Sequence, residues 1–226
     1  MKIFVKNLQL IFNHNHEESL GLKSFKLGIN QFADLTDDEF ANKMVVKSPI
    51  DSVPDWCQLF PDYLTSQEEI NRNESINWVR EGKVSPVTDQ GHCGSCWTFS
   101  TIASVESAIA IGTKSVPMQL SQQELVDCAR GGKYISQGCQ GGQMPEGFDY
   151  IKRNGISSLK SYPYTSGKTG NSSGSCLHKD GTGIKPGDIN SCVLLTSGNE
   201  EELITALNLQ PVSVSIDAGS PFFRSV

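Results

Sequence analysis

Between Trp97 and Ala110 the apolar residues Trp97, Phe99, Ile102, Ala103, Val105, Ala108, Ile109 and Ala110 cover most faces of a helix of about four turns. That pattern predicts a central, buried helix rather than a surface one. Upstream, Phe4, Asn7, Ile11 and Asn15 recur along one helical face. Thr36 is an N-cap, and the acidic first turn of Asp37, Asp38 and Glu39 opens a second, short helix. Further on, Ser121-Gln122-Gln123-Glu124 is a capping box before Leu125 and Val126, with Cys128 at the end of that helix. Pro145 starts another helix, with Phe148 and Ile151 facing inward and Gly155 as its stop. Asn199-Glu200-Glu201-Glu202 opens one through Leu203, Ile204, Ala206 and Leu207, and Pro211 to Ile216 alternates as a strand.

Two stretches lack such periodicity. Residues 46–74 carry Pro49, Pro54 and Pro61 and a polar run from Thr65 to Glu74, which reads as a linker. Within it Trp56, Cys57 and Phe60 are apolar residues with no evident place to go. Residues 166–190 are rich in Gly, Ser and Lys and read as an exposed loop.

Composition narrows the function classes. A net charge of −6 and the lack of any basic block argue against a nucleic-acid partner. No apolar run approaches the roughly 18 residues of a membrane span. The start Met1-Lys2-Ile3-Phe4-Val5 is not a signal peptide, because Lys6, Asn7 and Gln9 interrupt it. Seven cysteines, with sequons at Asn73-Glu74-Ser75 and Asn171-Ser172-Ser173, nonetheless indicate a secretory-pathway history, so we expect the N-terminus of the natural protein to lie further upstream.

The chemistry concentrates at Gln90-Gly91-His92-Cys93-Gly94-Ser95-Cys96, which runs straight into the central helix. Cys96 falls at its first turn, where unpaired backbone N–H groups and the macrodipole favour a thiolate. Three other readings of these cysteines compete with it. A zinc site would need a second C-x-x-C or C-x-x-H pair, and the chain has none. A thioredoxin-like dithiol would carry its Trp before the first Cys, whereas Trp97 follows the second. A structural Cys93–Cys96 disulfide is disfavoured relative to one that pairs Cys93 elsewhere and leaves Cys96 free.

Cys93-Gly94-Ser95-Cys96-Trp97 resembles the signature of the papain and cathepsin cysteine proteases, with Gln90 six residues before Cys96 as in that family. The resemblance implies that Cys96 is the nucleophile and that the Gln90 amide and the Cys96 backbone N–H stabilise the oxyanion. Phe4, Asn7, Ile11 and Asn15 resemble the last four positions of the family's propeptide helix, and Gly28-Ile29-Asn30-Gln31-Phe32-Ala33-Asp34 its second propeptide motif. Such a propeptide occupies the substrate cleft in reverse orientation until removed. Ser75-Ile76-Asn77-Trp78 resembles the start of the mature enzyme. Gly138-Cys139-Gln140-Gly141-Gly142 is similar to a family segment whose glycines, here Gly141 and Gly142, let a substrate backbone approach. By the same match, Met144 and Ser215 line the pocket for the residue two before the scissile bond. The resemblance also implies disulfides Cys93–Cys139 and Cys128–Cys176; Cys57 and Cys192 either pair with each other or stay free.

The family's catalytic His and Asn lie about 130–150 residues past the Cys, at or beyond the end of this sequence. None of the four histidines suits the role: His14 and His16 read as solvent-facing on the first helix, His92 adjoins the Cys93 disulfide, and His178 sits in the 166–190 loop. The reading is thus an α+β, papain-like precursor, a helical lobe plus a β-barrel lobe that is incomplete here. Its parts are a partial propeptide (1–45), a linker with the processing site (46–74) and the N-terminal part of the peptidase (75–226). It is a monomeric endopeptidase of proteins and peptides, without metal or cofactor, of the lysosome, vacuole or extracellular space, and inactive as written. A non-catalytic inhibitor of a complete relative is the alternative from another class. A disulfide-framed secreted domain unrelated to proteolysis explains neither propeptide motif.

Overall fold

The structure, a computed structural model, describes residues 1–44, 57–60, 75–172, 174–178, 182–190 and 192–225. The chain divides into two units, Met1–Val46 with Ser215–Val226, and Lys47–Val214.

In the first unit, α1 (Lys2–Ser19) buries Asn7, Ile11 and His14 on one face. Its polar residues act as backbone surrogates. Asn7 Nδ2 donates to the carbonyls of Ala33 (2.8 Å) and Leu35 (2.9 Å), while Asn15 both donates to and accepts from the Leu27 backbone at 2.8 Å. The segment that follows α1 has no ladder of its own, so these amides satisfy groups that burial would otherwise strand. Helix α2 (Asp37–Met44) opens as expected: Thr36 Oγ1 accepts from Glu39 N–H at 3.1 Å, and Glu39 returns the contact to Thr36 N–H at 2.8 Å. His14 differs from the sequence expectation. It is 4% exposed, bonds the Phe25 carbonyl through Nε2 at 2.9 Å, and packs on Phe25 and Phe222.

The second unit is built around α3 (Cys96–Gly112), the central helix the apolar pattern predicts. Trp97, Ile102 and Val105 from α3 pack with Leu125 of α4 (Gln122–Cys128), Tyr150 and Ile151 of α5 (Met144–Asn154), and Leu120, Ala129 and Ile156. Carboxylates inside this core are fully engaged. Glu106 accepts from Leu120 N–H at 2.6 Å and from the Ser85 hydroxyl; Glu124, wholly buried, accepts from Ser157 N–H (2.8 Å), Tyr150 Oη (3.1 Å) and His178. Ser121 caps α4 by accepting from Glu124 N–H at 3.0 Å, but the Glu124 carboxylate serves Ser157 instead of closing the box. Gly155 ends α5 with φ of +72°, and its absent Cβ would lie 2.4 Å from the Ile184 carbonyl.

Most of the described residues of the 166–190 stretch are exposed, as its composition predicts, but not all. Ser166, which starts α6 (Ser166–Thr169), is fully buried, and Ile184 bridges Ile156. Asn199 caps α7 (Glu200–Leu209) by accepting from Glu202 N–H at 3.2 Å. A four-residue helix, α8 (Pro221–Arg224), ends the described chain in the first unit. Residues 211–216 form no strand; Ser213 instead bonds Ser104 Oγ (2.6 Å) and the Ser100 carbonyl (2.9 Å). No described strand lies alongside to complete a ladder there, and alternation alone cannot supply one.

Among the described residues the two strands are β1 (Cys57–Leu59) and β2 (Cys192–Leu194), paired in parallel with Cys57 opposite Cys192. This gives the apolar residues of the linker a place. Cys57 and Phe60 are each 7% exposed, and Phe60 N–H donates to the Leu194 carbonyl at 2.9 Å. Trp56 and most of the linker lie outside the described residues. Three disulfides, Cys57–Cys192, Cys93–Cys139 and Cys128–Cys176, cross-link the unit. Closing the 135-residue separation of the first removes on the order of 5 kcal/mol of unfolded-state entropy.

Candidate active site

Cys96 is the first residue of α3 and the sole cysteine outside a disulfide. The preceding loop is clamped at several points. Gln90 Nε2 donates to the Cys93 carbonyl at 2.9 Å, Gly94 N–H to Cys139 O at 2.8 Å, and His92 N–H to Gly167 O at 2.8 Å. Gly91 has φ of +60°, and a Cβ there would meet the Gly167 carbonyl oxygen at 2.4 Å. The Cys93–Cys139 bridge ties this loop to the Gly138–Gln140 turn, and Trp97 Nε1 donates to the Gly138 carbonyl at 3.1 Å.

Tyr164, which no pattern above singles out, fastens both ends of the loop. Its hydroxyl donates to the Gln90 carbonyl (2.7 Å) and bonds Ser95 Oγ (2.7 Å), while its ring meets Phe99 edge-on. Burial pushes its phenol above the ordinary value. The Tyr162-Pro163-Tyr164 run was the available signal, but nothing local says which backbone its hydroxyl reaches.

Gly142 is also constrained by packing. A Cβ there would lie 2.4 Å from Trp97 Cε2, so the Trp97 indole occupies the space a side chain would need. Gly141 adopts φ of +115°. Met144, half-buried, starts α5, and its carbonyl meets Thr101 Oγ1 at 3.4 Å. Gln90, Cys96, Gly141, Gly142 and Met144 belong to the second unit, whereas Ser215 is exposed and belongs to the first. Asn171 is exposed; Asn73 lies outside the described residues.

The Cys96 thiol is pushed the opposite way from what its helix position alone predicts. Its side chain reaches solvent, yet protein crowds it closely enough that burial pushes the thiol above its ordinary value, outweighing the lowering by the Trp97 and Cys96 backbone N–H groups. A helix N-terminus alone does not make this thiolate. Nor does a histidine of this chain reach it by hydrogen bond: His14 is held by Phe25, His178 by Glu124, and His16 and His92 are exposed. Among the described residues no cluster of three or more His, Cys, Asp or Glu is placed to hold a metal, and no helix is long and apolar enough to cross a membrane.

Comparisons with known proteins agree with this frame. Residues 72–225 match the family described as Papain family cysteine protease, and residues 1–40 match the Cathepsin propeptide inhibitor domain (I29). The chain belongs to the papain family of cysteine proteases. It is 37% identical to caricain of Carica papaya over 98% of its own length and 59% of that protein, and 37% identical to cathepsin S of Bos taurus, covering 98% and 63%. Among solved structures it is similar to the recombinant stem bromelain precursor, with a TM-score of 0.72 and 31% identity over 98% of this chain and 66% of that one. It is likewise similar to digestive procathepsin L 3 of Tenebrio molitor, with a TM-score of 0.72 and 30% identity over 91% and 61%. The chain thus spans about 60% of the length of the curated relatives it matches. The fold is papain-like and helix-rich, and no barrel closes among the described residues.

Proposed function

We propose that the chain is the precursor of a cysteine endopeptidase in which Cys96 Sγ attacks the scissile carbonyl. The C–N bond then breaks, the amine leaves with a proton, and water releases the acyl group from Cys96. Gln90 and the Cys96 backbone N–H hold the oxyanion; Gly141 and Gly142 receive the substrate backbone, and Met144 with Ser215 the apolar side chain two residues before the cut. Residues 1–45 are the inhibitory propeptide, the linker 46–74 carries the processing site, and the mature enzyme starts near Ser75. The protein is a monomer that travels the secretory pathway to the lysosome, vacuole or outside of the cell, with Asn73 and Asn171 as glycan acceptors. The observation that carries this reading is Cys96, the one thiol spared by three disulfides, at the head of a buried helix whose preceding loop is anchored by Gln90 on the Cys93 carbonyl.

Burial pushes the Cys96 thiol up and all four histidines are engaged or exposed elsewhere, so the described residues give Cys96 no imidazole to take its proton. This same observation favours, as a second reading, a non-catalytic inhibitor of a complete relative. Labelling the endogenous protein with an epoxide selective for activated thiolates separates the two. Modification at Cys96 near pH 6, lost in Cys96→Ala, is expected of the peptidase. An endogenous protein left unlabelled under those conditions sinks the peptidase and leaves the inhibitor.

A further inference from the structure

Cys57 and Cys192 lie outside the disulfide framework that the family resemblance implies, and their positions along the chain give their bond an unusual consequence. Cys57 falls between the propeptide match, which ends at residue 40, and the peptidase match, which begins at residue 72; Cys192 lies inside the latter. The cystine therefore joins the segment before the expected mature start to the peptidase body. We propose that it is a tether that keeps the propeptide on the enzyme after the linker has been cut, so that activation needs a thiol reduction as well as a peptide-bond cleavage. This rests on the precursor reading above.

The local structure supports a docked rather than incidental bond. Cys57 pairs with Cys192 across the parallel strands, their Cα atoms 4.7 Å apart, and both are 7% exposed. Phe60 extends the attachment, being itself 7% exposed and donating from its N–H to the Leu194 carbonyl at 2.9 Å. A pair of three-residue strands is too short to persist by its own hydrogen bonds, so the covalent bond is what maintains it. Any cut after Phe60 and before Ser75 leaves Cys57 on the same fragment as residues 1–45. That fragment then stays at an effective concentration of the order of millimolar, whatever its own affinity for the cleft. Released only by dilution, a propeptide leaves; tethered, it rebinds.

Release requires a small-molecule thiol or dithiol. Two reductant thiolates attack in sequence, the Cys57–Cys192 bond accepts two electrons and two protons, and the products are two cysteine thiols and the reductant's disulfide. Gln58 is exposed and Val193 is 45% exposed, so the strand pair lies at the surface, where local opening admits such a reagent.

The test inserts a site-specific protease sequence between Thr65 and Ser66 of the full chain, cuts it, and compares denaturing gels with and without dithiothreitol. One band of uncut size without reductant and two with it are expected; two bands without it overturn the tether. Cys57→Ser should give two bands in both lanes, and if that variant fails to fold, the non-reduced peptide map must contain a Cys57–Cys192 cross-linked peptide. The second arm is Cys96 labelling by a peptidyl epoxide in the cut endogenous protein. Mild reduction should speed it at least tenfold in the wild type and leave Cys57→Ser unchanged; equal rates before and after reduction refute the regulatory role. An endogenous mature N-terminus that begins between residues 46 and 57 also overturns it. The gel requires no peptidase activity, so a linked but inactive protein counts only against the enzyme reading.

Discussion

Among the described residues, buried polar side chains are as numerous as buried apolar ones in both units, but only the second unit gathers its apolar ones into a contiguous cluster and closes it with cystines. Asn7, Asn15 and Arg224 hold the chain between α1 and α2 one carbonyl at a time. Arg224 is 3% exposed and donates to the Leu35 carbonyl (3.0 Å) and Asn7 Oδ1 (2.9 Å), with Asp37 2.9 Å away as its counter-charge. Ile102, Leu125 and Ile151 of the second unit are wholly buried and need only shape. A small segment cannot bury enough apolar area to order itself, so directional bonds do that work; a larger one can rely on area.

The largest effect should come from the second unit's core. Ile151→Ala deletes a side chain that is 0% exposed, at a cost of about 4 kcal/mol, read as a shift in the urea midpoint. Arg224→Met should follow at about 3 kcal/mol, because the stem still packs while the Leu35 carbonyl and Asn7 lose a charged donor. Hydrogen exchange sharpens the contrast: Arg224→Met should open amides around Ala33 to Leu35 and leave those of α3 protected. Equal loss in both units would mean that they unfold as one and that the distinction has no energetic content.

The same division explains what could be read from sequence. Central helix, caps and the Cys96 loop were legible because periodicity, N-cap residues and a five-residue motif are local. The pairing of Cys93 with Cys139 and of Cys128 with Cys176 was implied by resemblance, and the structure has both bonds. The burial of His14 is invisible in the helix pattern because its neighbours, Phe25 and Phe222, come from beyond the helix, one of them from the far end of the chain. Cys57 and Phe60 looked homeless because their partners are Cys192 and Leu194. For the Cys96 thiol the helix end is visible in sequence, but the crowding that opposes it is tertiary.

The smallest effect concerns two buried carboxylates of the second unit whose pH dependences oppose one another. Glu106 is 4% exposed, and burial raises its pKa above the ordinary 4.5, only partly offset by the Ser85 hydroxyl and Leu120 N–H. The folded state therefore keeps the proton where the unfolded state has lost it. Its contribution is complete below about 4.5 and declines as pH climbs through the raised value, with a slope of at most about 1.4 kcal/mol per pH unit. Asp149 runs the other way. Burial would raise it, but Lys133, Arg153 and Tyr134 together hold it below its ordinary 3.8, so its contribution is present above that value and is lost as pH falls through the depressed one. Glu106→Gln keeps an acceptor for Leu120 N–H and removes the titration. Stability measured from pH 4 to 7 should therefore decline less in the variant than in the wild type. A wild-type curve that rises across this range more steeply than the variant's would show that the Ser85 and Leu120 bonds prevail over burial and hold Glu106 ionised in the folded core.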